Sequence, residues 1–365
     1  MTISSLYLWY FRSYTKSNYD FSSTINVIVG PNTIGKTNIL EAIFMLAGGK
    51  SFRADKDIEL INFDSEIARI RGNIINEKEA EKEKKLEIVI TRGIVGGQKS
   101  QFKKYLVNGV AKRQMDFVGC ERAVLFSPTD IELITDSPFL RRKYLDFVLV
   151  QIDREYRRAL SSYEKGVRQR NKLLERIRDE AVPRSQLSFW DGLLIRNGNI
   201  ISQKRREFIN FVNYQEKQFG DFEMFYDNSE ISADRLYKYS REEVLAATTL
   251  VGPHRDDWKI CKKCKVKNKK EKEIEEIQRL SVSLYGSRGE QRMAVLWLKT
   301  AELEFVAGKS YERPILLLDD IFSELDEEHR KHILDIVHKQ QTIITTTDLD
   351  HVDKSFLERV RVIRL

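Results

Sequence analysis

The hydrophobic positions of this chain change period several times along its length, and each change marks an element. Two short apolar runs open it, around "SLYLWYFRSY" (5–14) and "TINVIVG" (24–30). Ile25 to Val29 is nearly continuous and β-branched, as in a strand buried on both faces, and it stops at Gly30. From Asn38 the period becomes helical, with Ile39, Leu40, Ile43 and Leu46 on one broad face, and "GGKSFR" (48–53) closes that helix. Residues 58–110 then alternate with period two in "EIARIRGNI" and "KLEIVITRG", and "KKYLVNGVAK" carries an Asn-Gly turn. This spacing predicts a β-meander, with the charged "NEKEAEKEKK" (76–85) as a solvated tip.

Beyond residue 135 the helical period dominates. Leu140, Leu145, Val148, Leu149 and Ile152 mark one helix, and Ala159, Leu173, Leu174 and Ile177 its continuation. Pro183 breaks the run and "SFWDGLLIRNGNIISQKRREFINFVNYQ" (188–215) resumes it, which suits two antiparallel helices or a small helical lobe. Buried strands return in "RPILLLDDIF", "QTIITTTD" and "RVRVIRL", with a helix at "EEHRKHILDIVHKQ". The pattern divides the chain into an α/β part at 1–134, a helical insertion at 135–240 and a second α/β part at 241–365.

Composition narrows the class. Hydrophobic residues are 41% and charged residues 32% of 365, a globular balance, and no apolar stretch approaches a bilayer span. The first residues lack a basic start followed by an apolar run, so the cytoplasm is the expected compartment. Three cysteines make no disulfide framework. The net charge of +7 is a mild bias toward polyanions, and arginines gather at 140–180 and 203–208.

Against that background "GPNTIGKT" (30–37) matches the phosphate-binding loop GxxxxGK[ST] in full, between a buried strand and a helix. Gly30 and Gly35 let the loop Pro31-Asn32-Thr33-Ile34 turn its N–H groups inward, with Asn38 just beyond. Lys36 is expected on the β and γ phosphates of ATP and the Thr37 hydroxyl on Mg²⁺. The loop needs a carboxylate for its metal, and "ILLLDD" (315–320) supplies Asp319 at the end of a buried strand. Asp320 is then placed as general base or as a water-positioning group. If "IITTTD" (343–348) ends a parallel neighbour, Thr346 and Thr347 come near those aspartates. One helix start is unusual: "GSRGEQR" (286–292) sets Ser287, Gly289 and Gln291 among charges, where a Ser cap alone would suffice.

Together with "LFSPTDIELITDSPFLRRKYLD", "VGPHRDD" and "LKTAELE", these motifs resemble, in order over nearly the whole chain, the ABC-type ATPase heads of the SMC and Rad50 class. Within that class they resemble the RecF family of bacterial recombination mediators. The resemblance implies an α/β fold: an ABC-type P-loop head of two lobes, a mixed sheet plus the β-meander, with a compact helical arm inserted. It implies ATP and Mg²⁺ as cofactors, slow hydrolysis and an ATP-dependent homodimer. In that dimer Ser287 and Gly289, with Gln291 nearby, meet the nucleotide on the other subunit's P-loop, and Ser323 and Asp326 belong to the loop linking the two sites. Thr347 takes the place where transporters carry a histidine, and Ser127 to Asp130 the corner where they carry a glutamine. The implied partners are double-stranded DNA and junctions with single-stranded gaps, and RecR, with RecO and RecA in the same pathway.

Arg141, Arg142, Lys143, Arg154, Arg157 and Arg158 are candidate phosphate-backbone contacts, though intervening acids equally suit a salt-bridged helical face. Arg53 is a further candidate near the phosphate-binding helix. His254 in "GPHRDD" is expected to support the nucleotide site or to be packed structurally. Two departures from the family stand out. Arg288 and Glu290 put charge into the signature start. A lysine-rich stretch containing Cys261-Lys-Lys-Cys264 replaces a short hairpin; it has zinc-knuckle spacing without an apparent second ligand pair, and reads as a basic surface loop. The rival readings are another SMC- or Rad50-like ATPase and an ATP-gated DNA clamp whose hydrolysis is vestigial.

Overall fold

The computed structural model describes residues 1–75, 83–267, 275–323, 327–348 and 360–365. The charged stretch 76–82, Glu324 to Asp326 and the segment containing His351 lie outside the described residues. The chain forms two compact units, Met1–Thr129 with Glu302–Leu365, and Asp130–Ala301 between them in sequence.

In chain order the first unit begins with β1 (Thr2–Phe11), β2 (Tyr14–Asp20), β3 (Ile25–Val29) and α1 (Lys36–Gly48). The run expected as one strand around "SLYLWYFRSY" is a tight hairpin, because Arg12 takes a left-handed φ of 53° and reverses the chain. Next come β4 (Ile67–Ile75), β5 (Glu83–Thr91), the two-residue ribbon β6 (Ile94–Val95) and β7 (Gln98–Lys99), β8 (Lys103–Val107) and β9 (Val110–Lys112). Between the last two, Asn108 (φ 52°) and Gly109 (φ 78°) make the left-handed turn that the Asn-Gly pair predicts. A short α2 (Gln114–Phe117) and β10 (Ala123–Phe126) complete this stretch.

The second unit contains α3 (Glu132–Thr135), α4 (Pro138–Ile152), α5 (Arg154–Glu180), α6 (Ser188–Tyr214), β11 (Phe222–Asp227), α7 (Ala233–Lys238), α8 (Ser240–Ala246), β12 (Asp257–Lys267), β13 (Glu275–Ser281), α9 (Val282–Tyr285) and the start of α10 (Arg288–Ser310). The rest of α10, then β14 (Ile315–Asp319), α11 (Glu327–Val337), β15 (Thr342–Thr346) and β16 (Arg361–Arg364), belong to the first unit.

The first unit is built on two sheets. One is antiparallel, ordered β2-β1-β4-β5-β8-β9; the other is parallel, ordered β10-β14-β15-β3-β16. Helix α1 packs against strands of both. It is apolar nearly all round, as a helix enclosed on several sides must be, and Ile39, Leu40, Ile43, Met45 and Leu46 are fully buried. Gly72 on β4 allows the approach, since a Cβ there would lie 2.5 Å from Leu46 Cδ1. The five residues of β3 and of β14 are all buried, which is why their sequences read as continuous apolar runs.

In the second unit α5 and α6, 27 residues each, pack along one another. Asp153 caps α5 by accepting from Tyr156 N (2.9 Å), and Ala181 in the left-handed region with Pro183 close behind ends it. The antiparallel sheet β11-β12-β13 completes the unit, and Phe222 of β11 packs on Trp297 of α10 (centroids 6.0 Å).

The nucleotide site and the signature helix

Strand β3 delivers the chain to the P-loop at the carboxyl end of the parallel sheet, where ligands of such sheets bind. Thr33 (φ 69°) and Gly35 (φ 115°) both adopt left-handed backbone, folding Pro31-Asn32-Thr33-Ile34 back toward the start of α1. Gly35 has no alternative: a Cβ would sit 2.8 Å from the Tyr14 hydroxyl, which donates to Gly35 O at 3.1 Å. Gly30 N lies 3.4 Å from Thr346 O, fixing the loop's first residue to β15. Asn38, on the first turn of α1, donates to Ser13 Oγ (3.1 Å) and accepts from Arg53 Nη1 (3.3 Å).

The Lys36 ammonium donates to Gly30 O (2.6 Å) and Pro31 O (2.9 Å), so it already spans the concavity of the loop. Burial pulls its pKa below the usual lysine value, while Asp320 and Asp319 oppose that shift. Thr37 Oγ1 donates to Asp319 Oδ1 at 3.0 Å, and Thr345 Oγ1 donates to the same oxygen at 2.8 Å. The second bond follows from register, because β14 and β15 are parallel neighbours with Asp319 opposite Thr345. Asp320 leaves the strand in the left-handed region, at φ 50°, with its N–H held by Thr345 O (3.2 Å) and Thr345 Oγ1 (3.1 Å). A non-glycine residue seldom adopts this backbone, and aspartate tolerates it better than most. Thr346 is buried, with its hydroxyl on Asp348 O (2.7 Å), and Thr347 is exposed one residue past the strand.

The structure therefore brings Gly30 to Asn38, Asp319, Asp320 and the β15 threonines together. Thr345 is the residue that the sequence pattern passed over; its signal was its position opposite the last strand residue of "ILLLDD". Behind α1, Glu41 is fully buried and accepts from Arg12 Nε (2.9 Å) and Nη2 (2.7 Å) and from the Ser51 hydroxyl, which also receives the N–H groups of Arg53 and Ala54. This node ties the β1–β2 turn and "GGKSFR" to α1. Ser127, at the corner expected to replace a glutamine, is buried, and its hydroxyl pairs with that of Thr129 (3.0 Å).

The signature helix begins in the second unit. Ser287 and Glu290 form a capping box at the start of α10: Ser287 N donates to Glu290 Oε2 (2.9 Å) and Glu290 N to Ser287 Oγ (3.2 Å). Gln291 is buried and donates to Val282 O (3.3 Å) and Gly286 O (3.4 Å), bracing the turn between α9 and α10. Ser287, Arg288 and Gly289 are exposed, and the first amides of a helix have no partner within it. Asp326 lies outside the described residues.

The arginines expected on DNA divide. Arg141 holds Asp257 through Nε (2.6 Å) and Nη2 (3.0 Å) and donates to Asp136 O, Arg142 donates to Asp256 O (2.8 Å), and Arg157 to Val150 O (2.6 Å). Lys143 is half-buried, whereas Arg154 and Arg158 are exposed on α5. "GPHRDD" is an internal node of the second unit. Asp256 is fully buried against Arg205 (2.9 Å), itself paired with Asp146 (2.7 Å), and His254 bridges Tyr163 and Thr249. Cys261 and Cys264 stand on β12 three positions apart, so alternation points their sulfurs to opposite faces, which suits no shared ion. Among the described residues no helix is long and apolar enough to cross a membrane.

This geometry is that of a P-loop ATPase head, and residues 2–364 match the model of the RecF/RecN/SMC N terminal domain. The DNA replication and repair protein RecF of Herpetosiphon aurantiacus is 35% identical over 99% of this chain and 97% of its own. That of Bacillus thuringiensis is 32% identical over 100% and 97%. A solved structure of the recombination mediator protein RecF with ATP, in the RecFOR pathway, has a TM-score of 0.83 at 33% identity, covering 96% of this chain and 93% of that one. The chain belongs to the RecF family. It is an ATP-binding protein of DNA repair and recombination with the ABC-type ATPase fold, and a weak ATPase.

Proposed function

We propose that this protein binds ATP on its own P-loop, closes onto a second copy of itself through the signature helix, and in that form holds double-stranded DNA beside single-stranded gaps. The observation that carries the reading is the Thr37–Asp319–Thr345 chain of hydrogen bonds, which locks the P-loop helix to the carboxylate strand.

Thr37 and Asp319 offer a hydroxyl and a carboxylate oxygen side by side, the hard oxygen donors that Mg²⁺ prefers, and these two residues would hold it. A Mg²⁺ ion held there would neutralise charge on the phosphates. Lys36 exchanges the Gly30 and Pro31 carbonyls for β and γ phosphate oxygens, regaining in charge pairing what burial takes away. Thr345 holds Asp319 in place and, through the Asp320 N–H, aims the second carboxylate. Asp320 accepts a hydrogen bond from the attacking water, as base or as positioning group. Thr347, exposed at the mouth of the site, is a second candidate to contact that water.

The γ phosphate completes a contact with Ser287 and Gly289 of the second copy, and hydrolysis removes it, so ATP times assembly. Exposed Arg154 and Arg158 are the arm residues best disposed to meet DNA phosphates. RecR is the proposed protein partner, acting with RecO to load RecA, and the cytoplasm the proposed compartment.

The test is sizing and DNA binding of the full chain with ATP, ADP and no nucleotide. ATP alone should produce dimers and raise DNA affinity; a chain that stays monomeric and unbound with ATP removes the reading. Asp320→Asn should still dimerise with ATP while turnover falls about 100-fold. Turnover at the parent rate would take Asp320 out of the chemical step.

A further inference from the structure

Glu290 sets a negative charge on the first turn of the signature helix. A helix start that meets the γ phosphate of a second copy should be free of negative charge, yet a carboxylate stands on its first turn. Inside one chain the carboxylate is well placed, since an acid at a helix N-terminus is favourable. At a contact with a polyphosphate it repels.

The carboxylate does not stand alone. Its Oε2 accepts from Ser287 N, and its Oε1 is in contact with the Lys262 ammonium. The Lys262 side chain is partly exposed, but its backbone is fixed. It lies on β12, the middle strand of its sheet, with Phe222 of β11 on one side and Leu280 of β13 on the other. Phe222 packs on Trp297 of α10, and β13 leads through α9 directly into Ser287. Sheet and helix are thus joined by packing and by chain, and the lysine is presented to Glu290 from rigid backbone. The pairing holds the Glu290 carboxyl below the usual carboxylate range, with the Lys262 contact the larger cause and the Ser287 N–H second.

We infer that Lys262 is a positioning residue for the γ-phosphate contact: it holds and neutralises Glu290, so that the Ser287–Gly289 helix start presents net positive charge to the nucleotide of a second copy. With Glu290 cancelled, exposed Arg288 sets the local sign. The two family departures, an acid in the signature start and a lysine-rich β12–β13 ribbon, are then one compensated pair. The inference rests on the proposed dimer.

The experiment measures ATP-dependent self-association by sedimentation, and ADP affinity separately, for the full-length parent, Lys262→Ala, Lys262→Arg, Glu290→Gln and Lys262→Ala with Glu290→Gln. Exposure limits the pair, so Lys262→Ala should raise the ATP concentration at half-association about three- to tenfold, with ADP affinity unchanged. Lys262→Arg should stay within about twofold of the parent, and adding Glu290→Gln to Lys262→Ala should restore association. Association of Lys262→Ala at the parent level overturns the inference, and so does a double variant as weak as Lys262→Ala. Thermal melts of each variant separate these outcomes from misfolding. A parent that does not associate with ATP overturns the dimer itself, a different result from a parent that associates and a lysine that does not matter.

Discussion

Thr345 shows how one hydroxyl can organise a site that it does not itself perform chemistry in. It donates to Asp319 Oδ1 (2.8 Å) and receives the Asp320 N–H (3.1 Å), so both carboxylates of "ILLLDD" are oriented by a single side chain on the neighbouring strand. Removing its hydroxyl leaves Asp319 with Thr37 alone and leaves the Asp320 N–H, at a positive φ, on Thr345 O alone. Residues that orient metal ligands commonly matter nearly as much as the ligands. Thr345→Val keeps the β-branched shape that a buried strand favours, so the fold should survive. The expected result is turnover about tenfold lower with ATP affinity within about threefold, read from steady-state hydrolysis and equilibrium nucleotide binding. Unchanged turnover would leave Asp319 and Asp320 oriented by the strand backbone alone.

Among the elements, "GPHRDD" is a turn that holds the second unit together. His254 sits in it, half-buried, between the Tyr163 hydroxyl of α5 (2.8 Å from Nδ1) and Thr249 O (3.0 Å from Nε2). A carbonyl only accepts, so Nε2 carries the proton and Nδ1 accepts from Tyr163. Burial pushes the histidine down to about 4, the Thr249 carbonyl opposing and nearby arginines assisting. Its folded value thus lies below the ordinary 6.5, and between those values the unfolded chain binds a proton that the folded one does not. Stability from this residue is complete above pH 6.5 and declines as pH falls toward 4, by on the order of 3 kcal/mol in all. Urea unfolding of the parent should show that slope between pH 6.5 and 4, and His254→Gln should flatten it; equal slopes would take His254 out of the pH dependence. The sequence told much of this level and missed a defined part. Runs such as "INVIV" and "ILLLD" could be read as buried strands because both faces of a covered parallel sheet are apolar. Lys36, Thr37 and Asp319 could be placed because the P-loop is a local motif and the aspartate ends such a strand. Thr345 and the Arg12–Glu41–Ser51 node could not, since each depends on which strands become neighbours or on a left-handed residue with no glycine to announce it. Glu290 looked like an intrusion until its capping box and Lys262 were visible, and only the first of these is a local pattern.

At the scale of the whole molecule, the P-loop and the signature helix belong to different compact units of one chain. In the proposed dimer each nucleotide needs Lys36 from one copy and Ser287 from the other, and two-fold symmetry makes the same contact twice. That arrangement has a consequence no cis arrangement shares. Lys36→Ala destroys both P-loops of its homodimer, and Ser287→Ala with Gly289→Val destroys both signature contacts of its own, so each should hydrolyse ATP poorly. Mixed in equal amounts and allowed to exchange, the two variants can pair as heterodimers. Each heterodimer has one site built from an intact P-loop and an intact signature, and one site with both parts broken. With one of two sites restored per heterodimer, recovery should reach at most about half of parental turnover, and about one quarter if the copies paired at random. The measurement is DNA-stimulated hydrolysis of the mixture against the mean of the separate variants at the same total concentration. Because restoration needs heterodimers, recovery should grow with protein concentration and vanish on dilution below the dimer's dissociation constant. A mixture that stays at the mean of its components at all concentrations would place signature and P-loop function within single chains and dispose of the two-copy site.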